Sequence, residues 1–211
     1  MFRPNRDVTV WESVIEPPLL AALAQAMREG KGRPAEVRAP TGHQVDPKVR
    51  RTSSVGVPPS VSDPVRLRLE RLRGACEERF GLPLGRCEAP QFLRYEHGDR
   101  FVPHADVTPQ EIRSAVVRRR VTVVLHVAQE APAIPPRGER PNVPREATAS
   151  RGCLTFFDTS ADVTWQTCRV RIAVAAGSVI TFPSEMIHEV PPVRASHRLT
   201  VVTWFWDRSE Q

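Results

Sequence analysis

The sequence has no apolar run long enough to cross a membrane, and no apolar segment follows its first residues as in a secretion signal. We therefore expect a cytoplasmic chain with no membrane partner. The four cysteines, Cys76, Cys87, Cys153 and Cys168, form no C-x-x-C pair, which argues against a thiolate zinc site. They are also too few for a disulfide scaffold, and a reducing compartment suits them.

Lysine is scarce: Lys31 and Lys48 are the only two, so arginine supplies nearly all of the positive charge. The formal net charge of +6 favours acidic ligands or a weak, non-specific attraction to nucleic acid. An arginine-rich proteome explains the same excess equally well. Charge alone therefore does not choose a partner.

A length of 211 residues with 40% apolar residues is typical of one globular domain with a sizeable core. Pro17-Pro18 followed by the apolar residues 19–27 and Gly30 predicts a first helix. Apolar residues at helical spacing predict a second helix from Asp63-Pro64 to Phe80, and residues 31–60 are predicted as loop. Residues 1–89 are thus expected to form a helical support.

From residue 91 onwards, short alternating segments separated by turns predict a sandwich or barrel of strands. The segment 129–150 carries five prolines and is expected to be a mobile lid or disordered. The fold expected is mainly β with N-terminal helices. The predicted strands are residues 91–95, 101–105, 121–128, 154–157, 170–175, 179–182, 187–190 and 199–206.

The pattern His104-Ala105-Asp106, followed far downstream by His188, predicts a metal site. Side chains at i and i+2 of a strand point to the same face, so His104 and Asp106 can bind one ion. Two histidines and one carboxylate are the facial triad of non-heme iron(II) oxygenases, which leaves three coordination positions open. A lone His-x-Asp is a weak signal, and the ordered set is a much stronger one.

Arg198 lies ten residues after His188 on an apolar strand, where its planar fork suits a carboxylate. A buried arginine needs an acidic partner. A dicarboxylate ligand is one such partner, and an Asp or Glu across the sheet is the alternative.

Several segments resemble the iron(II)/2-oxoglutarate dioxygenase superfamily, in its prolyl 4-hydroxylase-like branch. Residues 95–106 resemble its Tyr-x-x-Gly-x-x-aromatic-x-x-His-x-Asp signature. The resemblance covers about residues 90–206, in order and with similar spacings. The other matching segments, which resemble its later core strands, glycine turn and closing segment, are residues 121–127, 152–157, 176–182, 188–193 and 198–204.

The resemblance implies a double-stranded β-helix, a jelly-roll or cupin-like core buttressed by helices, over residues 90–206. It implies that His104, Asp106 and His188 bind Fe(II) and that Arg198 binds the distal carboxylate of 2-oxoglutarate. Tyr95 is at a position that contacts the same carboxylate. The alternative for Tyr95 is a tyrosine that only packs in the core. The resemblance places Trp204 in the pocket wall, and the alternative is again plain core packing.

The chain departs from the family pattern on its third core strand, where His126 replaces the tyrosine of many prolyl hydroxylases. His126 is either a co-substrate contact, a part of the pocket wall or a core histidine. The usual Gly-Gly pair is Arg151-Gly152 here. These changes leave the iron and co-substrate residues in place and leave the prolyl substrate open.

The resemblance implies a hydroxylase that uses O2, decarboxylates 2-oxoglutarate to succinate and CO2, and is stimulated by ascorbate. The expected substrate is a small molecule, an amino acid or a peptidyl side chain, including a prolyl one. The alternative is a non-catalytic jelly-roll binding or sensor module. Nucleic-acid demethylation ranks low, because Trp204 and its neighbours stand where such relatives carry a second arginine. The sequence does not indicate an oligomeric state.

Overall fold

The computed structural model describes residues 7–39, 42–108, 118–130, 152–157 and 169–208. Its N-terminal part mixes short strands with three helices. In chain order these elements are β1 Thr9–Trp11, α1 Pro17–Glu29, β2 Gly32–Pro34, β3 Val37–Ala39, β4 Gly42–Gln44, β5 Arg50–Arg51, β6 Ser53–Val55, α2 Pro59–Glu70, α3 Arg73–Phe80 and β7 Leu84–Cys87.

The C-terminal part is built from strands, and all eight strands predicted there are confirmed. They are β8 Gln91–Glu96, β9 Arg100–His104, β10 Arg119–Gln129, β11 Gly152–Phe157, β12 Arg169–Val174, β13 Val179–Pro183, β14 His188–Val190 and β15 His197–Asp207.

The strands form two main antiparallel sheets. The larger has the order β1-β13-β10-β15-β8-β6-β2, with β7 also paired to β15, and the smaller has the order β12-β11-β14-β9-β5. Strands β3 and β4 form a separate hairpin. One apolar cluster contains Leu93 and Phe182 of the larger sheet together with Leu154 and Phe156 of the smaller, so the two sheets share a core. This is the jelly-roll architecture that was predicted.

Alternation along β10 divides its side chains between two layers. Val121, Val123 and Leu125 belong to a cluster that also contains Leu23 of α1 and Leu69 of α2. Their neighbours along the strand therefore point to the opposite face, between the sheets. The helices thus pack on the outer face of the larger sheet, as expected.

The structure corrects two predictions for the N-terminal third. The loop predicted over residues 31–60 is wrong, because this segment contains β2 to β6. Strands β5 and β6 pair with β9 and β8, so the segment extends both sheets. The second helix is also not continuous: it begins at Pro59, ends at Glu70 and resumes at Arg73.

The proposed lid at residues 129–150 lies outside the described residues, apart from Gln129 and Glu130. No helix in the described part of the chain is long and apolar enough to span a bilayer.

Candidate active site

Three predicted metal ligands come together between the sheets. The register of the smaller sheet places His188 of β14 directly opposite His104 of β9, and Asp106 follows β9 by two residues. One ligand atom from each of the three lies within 4.8 Å of the other two. Asp106 is 3.7 Å from Nε2 of His104 and 3.9 Å from Nε2 of His188. This spacing suits a single ion bound by two imidazoles and one carboxylate.

Backbone carbonyls orient both imidazoles. Nδ1 of His104 is 2.9 Å from the carbonyl oxygen of Val102, and Nδ1 of His188 is 2.9 Å from that of Met186. A carbonyl only accepts hydrogen bonds, so each Nδ1 must carry the proton. Each Nε2 is then left with its lone pair, which is the form that binds a metal.

Asp106 is positioned by the larger sheet. Thr122 of β10 donates its hydroxyl to Asp106 Oδ2 at 2.6 Å, and Ser184 Oγ lies 3.1 Å from the Thr122 hydroxyl. The amide of Asp106 donates to the carbonyl of Ser184 at 3.0 Å. Burial alone would raise the pKa of Asp106, but His188, His104 and the Thr122 hydroxyl together hold that pKa below its ordinary range. Asp106 is therefore a carboxylate at neutral pH.

His188 is buried among aromatic rings. Its ring centroid is 4.7 Å from that of Phe182 and 6.2 Å from that of Phe156. Burial, with a smaller contribution from His104, lowers the pKa of His188 to about 4. The imidazole is therefore neutral at physiological pH and available as a ligand.

Arg198 is a buried cation, and its surroundings lack a carboxylate in the described part of the chain. It is 3% exposed, and its Nη1 donates to the carbonyl of Cys153 on the smaller sheet. Its Nε is buried and has no hydrogen-bond partner among the described residues. No carboxylate of the described residues forms an ion pair with it, so the salt bridge considered as an alternative is absent there. Burial lowers the pKa of Arg198, although a guanidinium stays charged at neutral pH.

A cavity of about 560 Å³ connects Arg198 with the three ligands. Tyr95, which is opposite Arg198 in the register of β8 and β15, also lines it, and the Arg198 guanidinium lies 5.8 Å from the Tyr95 ring. Trp204 also lines the cavity, with its Nε1 buried and without a partner among the described residues. Six of the seven residues singled out in the sequence thus line one cavity.

His126 is the exception, because it does not line the cavity. It is 2% exposed, and its Nε2 accepts a hydrogen bond of 2.9 Å from the amide of Gly152 on the opposite sheet. His126 is therefore buried between the two sheets, and a contact between His126 and the co-substrate stays a prediction.

Sequence reasoning missed several residues that complete the site. Thr122 is a polar residue within an apolar strand, and this is the only sequence feature that points to it as a site residue. Phe101 stacks on His104 with ring centroids 3.4 Å apart, and it was read only as part of a motif. Arg119 donates twice to Glu88 and lies 3.5 Å from the ring of Trp204, contacts that no local pattern predicts.

Comparisons with known proteins agree with this geometry. The family model for the 2OG-Fe(II) oxygenase superfamily matches residues 90–206, more than half of the chain. No curated protein sequence matches the chain significantly.

Solved structures share the fold at low identity. A prolyl-4-hydroxylase from Pseudomonas putida is 22% identical, with a TM-score of 0.65 over 97% of this chain and 94% of its own. A prolyl hydroxylase from Trichoplax adhaerens, in complex with a peptide fragment of hypoxia inducible factor, is 14% identical, with a TM-score of 0.69 over 99% and 90%. HygX from Streptomyces hygroscopicus, with nickel, 2-oxoglutarate and hygromycin B bound, is 12% identical, with a TM-score of 0.61 over 98% and 85%.

Proposed function

The chain belongs to the 2OG-Fe(II) oxygenase superfamily and is a dioxygenase, and we propose that it hydroxylates an unactivated C–H bond of a small molecule, an amino acid or a peptidyl side chain. The observation that supports this most directly is the shared cavity, which has a His-Asp-His ligand set beside a buried arginine that has no carboxylate partner among the described residues. A fold gains little stability from burying a carboxylate or an arginine without an ion-pair partner, because removing such charges from water costs free energy.

We assign iron(II) to Nε2 of His104, Nε2 of His188 and a carboxylate oxygen of Asp106. Two neutral imidazoles and one carboxylate are the donors that iron(II) oxygenases use. The carbonyls of Val102 and Met186 hold the required tautomers. Thr122 keeps Asp106 turned towards the histidines.

We assign the distal carboxylate of 2-oxoglutarate to Arg198. Its unpartnered Nε is a donor that an anion in the cavity would satisfy. The hydroxyl of Tyr95 is a second donor on the same wall. When bound, iron(II) and 2-oxoglutarate supply the oxidation, in which O2 yields one oxygen atom to the substrate and one to succinate as CO2 leaves.

Apolar side chains form part of the cavity wall around the proposed iron site. Phe101 covers one face of His104, and Leu154, Val124 and Trp204 are further lining residues. An apolar lining strengthens the electrostatic contacts made by Asp106 and Arg198.

The fold accommodates substrates of different size. One neighbour binds a peptide fragment and another binds hygromycin B, so both peptides and small molecules remain candidates for this chain. A prolyl side chain is included, because two of the neighbours are named prolyl hydroxylases. The three described cysteines are buried and unpaired, which suits the proposed cytoplasmic location.

The test is formation of succinate from 2-oxoglutarate under air, with iron(II) and ascorbate, across amino acids and proline-containing peptides. The wild-type protein should form succinate above the iron-only background, and a substrate should increase it. His104→Ala should abolish this activity, while His97→Ala, which changes an exposed histidine of the turn after β8, should retain it.

Full activity in His104→Ala would contradict the proposed set of metal ligands. Absence of succinate with every compound, together with absence of iron-dependent 2-oxoglutarate binding, would contradict the proposed function and favour a non-catalytic module.

A further inference from the structure

Arg50 is a second cation of the cavity, and no carboxylate of the described residues forms an ion pair with it. It lies on β5, the edge strand of the smaller sheet, and is half-buried in the cavity wall. Its Nη1 donates to the backbone carbonyl of Glu36 at 3.0 Å, while its Nε is buried without a partner among the described residues. The next residue, Arg51, instead forms an ion pair with Asp99 at 2.6 Å. Of these two adjacent arginines, Arg50 lines the cavity and has no ion-pair partner in the described part of the chain, whereas Arg51 has one.

A stack of rings connects Arg50 to the metal ligands. The guanidinium carbon is 4.9 Å from the centroid of the Phe101 ring, and Phe101 stacks on His104 at 3.4 Å with only 15° between the planes. The distance from the Arg50 guanidinium carbon to the centroid of the His104 ring therefore cannot exceed the sum of these two distances. This is the distance of a few bonds, which a small molecule or one amino-acid residue can bridge.

The charges elsewhere in the cavity are compensated. With the assigned ligands, iron(II) and Arg198 balance Asp106 and the two carboxylates of 2-oxoglutarate. At the outer wall Glu88 and Arg119 form a bidentate pair. The remaining charged residues of the lining, Glu36 and Arg118, are exposed to solvent.

We propose that Arg50 binds an anionic group of the substrate, a carboxylate a few bonds from the carbon that is oxidised. This inference rests on the proposed function and narrows its substrate class to acids, such as free or N-acylated amino acids and acidic peptides. A guanidinium that lines the cavity and has one nitrogen fixed by a backbone carbonyl is preorganised for this contact. Arg50 therefore selects the substrate, while Arg198 selects the co-substrate.

The experiment measures binding of matched acid and amide pairs by calorimetry. The probes are N-acetyl-L-proline against N-acetyl-L-prolinamide, and benzoate against benzamide, titrated into protein loaded with nickel(II) and saturating 2-oxoglutarate. The wild-type protein should bind each acid about tenfold more tightly than its amide, as expected for one charge-assisted pair. Arg50→Met, which keeps an apolar chain over Phe101, should lose this preference, and Arg50→Lys should keep part of it.

The matched control is Arg100→Gln, which removes the same charge from an exposed position on β9 and should keep the preference for acids. Equal binding of acids and amides by the wild type, or an acid preference that survives in Arg50→Met, would overturn the proposal. The same titrations report 2-oxoglutarate binding. If 2-oxoglutarate fails to bind, the proposed function is contradicted. The preference for acids over amides is then measured on the metal-free protein, because contact with Arg50 needs no metal.

Discussion

Gly152→Ala should lower the stability of the protein and also weaken binding of 2-oxoglutarate. A Cβ at Gly152 would lie 2.3 Å from Nδ1, 2.5 Å from Cγ and 2.8 Å from Cε1 of His126. These contacts involve the base of the ring, so relieving them requires a rotation of the whole imidazole or a displacement of β11. That rotation breaks the hydrogen bond from the Gly152 amide to Nε2. Gly152 has no positive φ, so the penalty comes from the contact and not from the backbone.

The cost follows from this geometry. Inserting a methyl group into a close-packed core destabilises by about 1–3 kcal/mol. Displacement of β11 also moves the carbonyl of Cys153, the next residue, which holds the guanidinium of Arg198. We therefore expect the KM for 2-oxoglutarate to rise while iron affinity changes little.

Chemical denaturation of the single and double variants measures the effect. His126→Ala should itself lower the free energy of unfolding. The loss in the double variant Gly152→Ala/His126→Ala should be smaller than the sum of the losses in the two single variants, by about 0.5–3 kcal/mol. The control is Gly74→Ala in α3, where a Cβ meets no atom within 4 Å and which should stabilise slightly. Additive losses, or a Gly152→Ala protein as stable as wild type, would refute this account of the His126 contact.

The other predictions concern the polar contacts of the cavity. Thr122→Val removes the hydroxyl that donates to Asp106, so iron affinity in a metal titration should fall about 10–100-fold, with recovery in Thr122→Ser. Arg198→Lys replaces the fork by a point charge, so the KM for 2-oxoglutarate should rise about tenfold in steady-state assays with little change in the substrate KM. Glu88→Gln weakens a part-buried bidentate pair with Arg119, so denaturation should show a loss of about 1 kcal/mol.

The sequence predicted the strands of the C-terminal core because short apolar segments such as Val121 to Leu125 are separated by turns. His104 and Asp106 were proposed as metal ligands because they lie two residues apart, and His188 because it follows in the order of a known motif. Arg198 was proposed as a site residue because a charged residue inside an apolar strand is conspicuous, and it lines the same cavity as these three residues.

The short strands before residue 60 were missed for a physical reason. Strands such as Gly32–Pro34 and Arg50–Arg51 contain two or three residues of low β-propensity. They form by pairing with other strands, because Gly32–Pro34 pairs with β6 and Arg50–Arg51 pairs with β9. These strands are stabilised by contacts with residues distant in the sequence, so no local sequence pattern predicts them. The same reason hid Arg50, which reaches the cavity only once β5 has paired with β9.

The role of His126 was left open because its environment is set by another strand. Its sequence position on β10 matches that of a pocket residue. Gly152 of β11 approaches the ring closely from the opposite sheet, and its amide donates to Nε2 of His126. A single sequence does not report such a contact between two sheets.

The most direct test of the account is an oxygen-free titration of 2-oxoglutarate into the protein with and without iron(II). In the wild type, iron should tighten 2-oxoglutarate binding at least about tenfold, because the co-substrate then gains the metal in addition to Arg198. In His188→Ala, whose fold is checked by circular dichroism, this effect of iron should vanish while weak metal-free binding persists. Binding that is indifferent to iron in the wild type, or a His188→Ala protein that responds to iron as the wild type does, would contradict the assignment of this cavity as the iron and 2-oxoglutarate site.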